Sequence, residues 1–312
     1  MRSPEILRTS MGLEDCRRIA IVAHDRGGAE VAADIAGSLA VETTYVSAGP
    51  ARGVFDDVLP HRTEVPLPEA LVWADAVIVT TGWQTDWELS AQAAAQDQGL
   101  RTAVVLDNWV NFSGRFQHHG FSVTPRELWV VDDLAAINAA EAFPEALIRE
   151  LPWNHYDEVV DRITAARRDR EPRVDGRMRV LFVGENVGEF EETLGDGADF
   201  GFDQFEALAH AGLVLDRQLG DGFVLRVRPH PSEDPSTYGP AIAGISGGAE
   251  LSGGDLVDDL SWCDIAVGLS SIALYYAHRA GIPTGTSFPI RGTQYHQSPW
   301  GFPSVEQLLI QP

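Results

Sequence analysis

The chain contains no lysine. All 23 residues counted as Lys plus Arg are arginine, against 46 Asp and Glu. That absence excludes mechanisms built on a lysine amine, such as a Schiff base or the lysine of a P-loop. Cysteine is almost missing as well. Cys16 and Cys263 are too few for a disulfide framework, so a reducing, cytoplasmic setting is expected. No apolar run approaches the ~20 residues needed to span a bilayer, and no integral membrane segment is expected. Met1 to Arg18 mixes charged and polar residues without the apolar stretch of a secretory signal. There is no Walker motif, no zinc-type Cys/His spacing and no internal repeat, so neither a metal nor a cofactor is expected. The net charge of -23 argues against nucleic acid as a partner, because a generally basic surface is what such binding uses.

What is present is the make-up of an ordinary globular protein, 44% hydrophobic and 22% charged, with 312 residues giving room for two domains. Arg18 to Ala23 reads as a buried strand, His24-Asp25-Arg26-Gly27-Gly28 as a turn, and Ala29 to Leu39 as an Ala-rich helix. Further strands are expected at Thr43 to Val46, Ala76 to Thr80, Thr102 to Leu106 and Glu127 to Val131. Helices between them are clearest at Trp87 to Gln98 and Asp133 to Phe143. Such alternation implies parallel pairing through right-handed crossovers. The charged stretch Asp161 to Arg179 breaks the pattern and reads as a helix end running into a linker. The pattern restarts with strands at Arg179 to Val183, Phe223 to Val227, Ala249 to Leu251 and Ile265 to Val267. The helices expected there run near Phe202 to Leu219, Leu256 to Trp262 and Ser271 to Ala280. The expected division is an N-terminal domain over 1–165, a linker over 166–178 and a C-terminal domain over 179–312. Two Rossmann-like halves of this kind place a ligand cleft between domains.

Two short signals in the second half carry chemistry. Arg228-Pro229-His230-Pro231 follows the apolar run Phe223 to Val227; its prolines fix φ and stiffen the loop. Such a loop either presents one imidazole, with Arg228 beside it, to a phosphate oxygen, or is a rigid turn with a capping His. Ser270-Ser271 follows Ile265 to Leu269 and opens the next helix, where hydroxyls and free amides suit an anion. The same pair also makes an ordinary Ser N-cap. Both signals stand at the carboxyl ends of strands, where open α/β sheets bind ligands.

Taken in order, strand-Arg-x-His-Pro, then Asp255 to Gly268, then Ser270-Ser271, then Ala277-His278-Arg279-Ala280-Gly281-Ile282-Pro283, the chain resembles the donor half of GT-B glycosyltransferases that use CMP-activated donors. That group includes bacterial sialyltransferases and polysialyltransferases, capsule Kdo transferases and, more distantly, the glycerophosphate polymerases of teichoic acid synthesis. The resemblance covers roughly residues 179–289. It implies an α/β, GT-B-like fold of two Rossmann-like domains with parallel sheets facing an interdomain cleft. It also implies that His230 stabilises the phosphate of the leaving nucleotide and that Ser270 and Ser271 bind its oxygens, without an obligatory metal. Pro229, Glu185 and Asn186 stand where they would contact the nucleotide.

The first half is similar to the group more loosely. Val104-Val105-Leu106-Asp107-Asn108-Trp109 matches the place of two acidic residues and a glycine, with Asp107 at the position of the general base, Asn108 replacing the second acid and Trp109 the glycine. A carboxylate at a strand end can accept a proton from an acceptor hydroxyl; it can equally cap the next turn. His24 and Asp25 are substitute bases. Gly27 and Gly28 would let an acceptor approach backbone amides or simply permit a tight turn. Trp109, with Trp83, Trp87, Phe112 and Phe116, suits either an acceptor surface or the core. The acidic stretch Glu185 to Asp203 reads as a loop. The expectation is an inverting, metal-independent glycosyltransferase acting on a nucleotide-sugar donor, CMP-linked by preference, and a saccharide or small-molecule hydroxyl acceptor. A UDP-sugar 2-epimerase or hydrolase on the same fold, or a non-catalytic nucleotide-sugar-binding or assembly protein, stands as the alternative.

Overall fold

A computed structural model describes residues 9, 11–39, 41–82, 85–109, 111–151, 154–170, 173, 176–194, 199–289 and 300–310. The chain divides into two compact α/β units, Met1–His155 and Tyr156–Pro312.

The first unit is built on strands β1 (Arg18–Ala23), β2 (Glu42–Ser47), β3 (Thr63–Glu64), β4 (Ala76–Val79) and β5 (Arg101–Val105). A small antiparallel hairpin, β6 (Gln117–His118) and β7 (Phe121–Ser122), precedes β8 (Glu127–Val130) and β9 (Leu147–Glu150). Seven strands form one parallel sheet in the order β3-β2-β1-β4-β5-β8-β9. Ile19 to Ala23 are wholly buried, as a parallel strand covered on both faces requires. The second unit pairs β10 (Met178–Val183), β11 (Phe223–Arg228), β12 (Ala249–Leu251), β13 (Ile265–Gly268) and β14 (Thr284–Thr286) in the order β12-β11-β10-β13-β14, again all parallel. In each sheet the strand order reverses beside the first strand, between β1 and β4 and between β10 and β13. There the flanking connections diverge and leave a crevice at the strands' carboxyl ends.

Glycine fixes how tightly the first helix, Arg26–Ser38, docks. A Cβ on Gly28 would stand 2.7 Å from the Thr80 Cβ at the end of β4, so only glycine fits this helix start. Gly37, near the other end, meets nothing.

Strand β11 alternates. Phe223, Leu225 and Val227 enter the core, while Arg226 and Arg228 lie on the other face. That face is polar but paired. Arg228 Nη1 donates to Asp259 Oδ2 at 2.8 Å and to the Gly254 carbonyl at 3.0 Å, and the Arg226 guanidinium stacks 3.9 Å from the Trp262 ring centroid. The helix Leu256–Trp262 is thus held to the sheet by ion pairing and cation–π contact.

The domain boundary differs from the expected linker over 166–178. The helix Asn154–Arg168 lies almost wholly in the second unit, and the division falls before Tyr156. Tyr156 packs on Tyr275 and Tyr276, Arg167 donates to the Leu260 and Cys263 carbonyls, and Arg170 and Arg173 pair with the carboxylate of Asp264. The arginines that resemble a solvated linker in sequence satisfy the last carbonyls of the helix Leu256–Trp262, where cations are favoured. The stretch after Glu185 is also more regular than a loop: Val187–Leu194 is helical.

Gly28 and Gly37 of the helix Arg26–Ser38 give opposite predictions. Gly28→Ala should destabilise the protein by about 1–3 kcal/mol through overpacking against Thr80. Gly37→Ala should stabilise it by roughly 0.5–1 kcal/mol, because an exposed helical glycine gives up more backbone entropy than alanine. Chemical denaturation of both variants checks the pair, and equal effects would contradict the packing described.

Candidate functional site

In the second unit the expected phosphate-facing residues gather at the strand-order reversal. Glu185 and Asn186 follow β10, Arg228 ends β11 with Pro229 to Pro231 after it, and Ser270 and Ser271 follow β13. Their roles separate. Ser271 is the N-cap of the helix Ile272–Arg279, its hydroxyl accepting from the Ala273 amide at 3.3 Å. Ser270 binds an anion, and the anion is the chain's own. Its amide donates to Glu185 Oε1 at 2.5 Å and its hydroxyl to Glu185 Oε2 at 3.0 Å. An amide and a hydroxyl aimed at one anion in this way are donors of the kind that hold anionic oxygens.

His230 is exposed, and its loop is braced from within. The His230 amide and the Tyr238 hydroxyl both donate to Glu233 Oε2 at 2.8 Å, while Ser232 Oγ lies 2.8 Å from His230 Nδ1. Pro229 lies beside Gly184, whose Cβ would meet the Arg228 carbonyl at 3.1 Å and the Tyr238 hydroxyl at 2.8 Å. Asn186 donates to Glu189 and Ser232, both at 3.0 Å. Arg228, expected beside the phosphate, is instead committed to the buried Asp259. The alternation of β11 explains this, because Arg228 shares the face that carries the helix Leu256–Trp262.

The first unit gathers a second cluster at the ends of β1, β4 and β5. Asp25 stands at the N-cap of the helix Arg26–Ser38 without capping it; its Oδ1 lies 2.8 Å from His24 Nδ1 instead. Asp132, Asp203 and Asp255 do cap their helices, whereas the Asp25 carboxylate is turned to the imidazole. Between β1 and β4 lies Glu88, which sequence reasoning did not single out. It is 3% exposed, and its Oε1 accepts from the His24 amide at 3.1 Å and from the Thr80 hydroxyl. Its Oε2 is buried and makes no hydrogen bond. A Cβ on Gly82 would lie 2.5 Å from that oxygen and 2.6 Å from Asp25 Oδ2, so glycine leaves the two carboxyls facing one small space. Burial, with Asp25 adding to it, pushes the Glu88 carboxyl up to about 7, against the hydrogen bonds that favour its charge.

Asp107, at the end of β5, joins this cluster. Arg115 Nη1 donates to its Oδ1 at 2.9 Å and to Thr81 Oγ1 at 3.1 Å, and the guanidinium is itself buried. Burial raises the Asp107 carboxyl above its ordinary range in spite of that partner. Asp107 Oδ2 faces Gly27, where a Cβ would stand 2.5 Å away. Gly27 thus leaves space beside the carboxylate, whereas Gly28 is packed against Thr80. Trp109, expected to contact an acceptor, is 1% exposed. Its indole Nε1 donates at 2.8 Å to both oxygens of Asp132, so the ring belongs to the core. Phe112 and Phe116 are buried with it; Trp87 stays half exposed, 6.2 Å from the His24 ring, and Trp83 lies outside the described residues. Among the described residues no group of three or more His, Cys, Asp or Glu side chains could hold a metal ion, and no helix is long and apolar enough to cross a membrane.

No protein-family model matches the chain, and no curated protein matches it in sequence. Solved structures do resemble it. A UDP-GlcNAc 2-epimerase from Neisseria meningitidis bound to UDP-GlcNAc superposes with a TM-score of 0.57 at 15% identity, over 86% of this chain and 82% of that one. The S. aureus MnaA structure with UDP gives 0.54 at 14% identity, over 86% and 78%. A putative UDP-N-acetylglucosamine 2-epimerase from Listeria monocytogenes gives 0.52 at 16%, over 86% and 78%. At such identities the likeness establishes the fold: the chain has the α/β, GT-B-type architecture of two Rossmann-like units.

The cluster of the first unit gives two predictions. Glu88 holds a proton in the folded state that the unfolded chain releases, so its contribution to stability is full below about pH 4.5 and falls as pH rises through about 7. Glu88→Gln should therefore match the wild type near pH 5 and exceed it by up to about 3 kcal/mol near pH 8; identical pH dependence in melting experiments would refute this. Arg115→Met should cost about 3–5 kcal/mol by taking the guanidinium away from a buried carboxylate. Adding Asp107→Asn to it should restore most of the loss, as a double-mutant cycle would show.

Proposed function

We propose that the protein is a nucleotide-sugar enzyme of the glycosyltransferase class, inverting and metal-independent, with a CMP-linked donor favoured. The observation that carries this reading is the anion held at Ser270, just after β13, with the exposed His230 just after β11, on the other side of β10. In the reaction an acceptor oxygen bonds to the anomeric carbon as that carbon's bond to the phosphate oxygen breaks. The acceptor proton passes to a carboxylate, and the bonding electrons leave on the phosphate. Ser270 and His230 would meet that developing charge, which is often the largest electrostatic contribution to catalysis. Donor binding would displace Glu185 from Ser270. Asp107, oriented by Arg115, would take the acceptor proton, with the His24–Asp25 pair as the alternative base.

A second reading has its own support. Glu88, Asp25, His24 and Asp107 offer more acid/base groups than a single deprotonation needs, and the three solved structures above are described as epimerases or hold UDP. A UDP-sugar 2-epimerase or hydrolase would use them on the sugar itself.

Melting curves with CMP, CDP, UDP and GDP, with and without Mg²⁺, test the reading. A ligand at ~100 times its Kd adds about 2.7 kcal/mol of stability. The expected result is a metal-independent shift with CMP or CDP that is lost in His230→Ala. A shift confined to UDP moves the donor class. An epimer or free sugar formed without acceptor establishes the second reading. Binding without turnover leaves a nucleotide-sugar-binding protein, and no shift with any nucleotide overturns the proposal.

A further inference from the structure

The hydrogen bonds around Ser232 decide where His230 carries its proton. A hydroxyl offers one proton and two lone pairs. Three groups approach Ser232 Oγ: Glu189 Oε2 at 2.5 Å, Asn186 Nδ2 at 3.0 Å and His230 Nδ1 at 2.8 Å. The carboxylate can only accept, so it takes the hydroxyl proton, and the shortness of that contact fits a charged acceptor. The Asn186 amide nitrogen can only donate, and it fills one lone pair. What remains is the second lone pair, so Nδ1 fits as a donor. The Ser232 amide also lies 3.3 Å from Nδ1, a contact that would need an acceptor there. It is the longer of the two and is not charge-assisted, so the hydroxyl sets the choice.

We infer that Ser232 and Glu189 are positioning residues for His230: they hold a proton on Nδ1 and leave Nε2 as the ring nitrogen that meets the phosphate of the departing nucleotide. The chain of contacts runs from the Glu189 carboxylate through the Ser232 hydroxyl to the ring, so positive charge gained by the imidazole on meeting a phosphate is answered by a negative group two hydrogen bonds away. Glu189 is itself fixed. Its amide donates to Asn186 Oδ1 at 3.1 Å, and its Oε2 accepts from Asn186 Nδ2 at 3.0 Å. Asn186, expected to contact the nucleotide, thereby acquires a second task in ordering this network. The role of Nε2 rests on the function proposed above; the proton position on Nδ1 does not.

Long-range proton–nitrogen NMR of the histidine rings in the ligand-free protein tests the proton position, with His230→Gln identifying the signal. In the wild type, His230 should show a protonated Nδ1 and, when neutral, a bare Nε2. Ser232→Ala should lose this pattern in favour of the Nε2–H form, and Ser232→Thr, which keeps the hydroxyl, should retain it. A neutral His230 with its proton on Nε2 in the wild type, or an unchanged Nδ1–H form in Ser232→Ala, would overturn the inference. With CMP as the probe, Ser232→Ala should bind about tenfold more weakly, a loss of roughly 1.4 kcal/mol, and Ser232→Thr close to normally. If the tautomer follows the hydroxyl as described while CMP binds neither protein, the network stands and the nucleotide reading fails.

Discussion

Parallel pairing is the constraint on which the rest of this molecule depends. A parallel strand cannot return by a tight hairpin, so each connection crosses over and every strand delivers its carboxyl end to the same edge of the sheet. Both units obey this, and in both the order reverses beside the first strand. At that reversal the flanking connections leave on opposite faces and leave a crevice that no side chain is obliged to fill. Polar groups collect there because the backbone ends its ladder there. Glu185 and Ser270 meet across one reversal, and Glu88, His24 and Thr80 across the other.

The two crevices solve opposite electrostatic problems. In the second unit an amide and a hydroxyl face outward from strand ends and need an anion, which Glu185 supplies in the ligand-free chain. In the first unit carboxyls crowd together, and the protein relieves the repulsion by unequal means. Asp107 is given a buried guanidinium, Asp25 an imidazole, and Glu88 is pushed toward its neutral form. A buried carboxyl pushed up to about 7 is suited to acid/base chemistry near neutral pH. This arrangement depends on small residues. Any side chain at Gly82 would enter the space shared by Glu88 and Asp25, and one at Gly27 would strike Asp107.

The sequence made the sheets legible because largely buried strands are continuous apolar runs: β1, β5 and β10 stand within a residue or two of where the pattern places them. Of the short edge strands, Ala249–Leu251 was legible, but Thr63–Glu64 and Leu147–Glu150 were not. Thr63–Glu64 and Leu147–Glu150 carry polar residues because an edge strand has one partner and an open side. His24, Asp25 and Asp107 stood out as candidates, Asp107 through the resemblance as well as its place at a strand end, whereas Glu88 did not. It sits in the first turn of a helix, where an acidic residue is unremarkable, and only the packing of that helix against β1 and β4 buries it. Trp109 shows the reverse: beside Asp107 it resembles a ligand contact, yet its indole closes on Asp132, 23 residues away in sequence. Arg228 and the arginines of 167–173 likewise look free in sequence because their acceptors, carbonyls and buried carboxylates of the helix Leu256–Trp262 and its flanks, are contributed by residues far along the chain.

The missing lysine and the committed arginines bear on how a chain of net charge -23 would hold a phosphate. Arg226 and Arg228 serve Asp259 and Glu250, and Arg170 and Arg173 serve Asp264. On the proposed reading, recognition then falls to neutral donors at strand ends and to one imidazole. Oriented dipoles of this kind draw an anion in at short range but add little to long-range attraction, while the net charge repels it. Glu185 sharpens the same balance, since a phosphate must replace it at Ser270. Its carboxylate then has to find new partners, and the hydroxyl groups of a bound nucleotide's ribose are of the right chemistry. An entering ligand that both displaces this carboxylate and satisfies it would be favoured over a bare phosphate, which can only displace it. Selectivity for a nucleotide over free phosphate would thus arise at the first turn after β10, from the residue whose carboxylate meets Ser270.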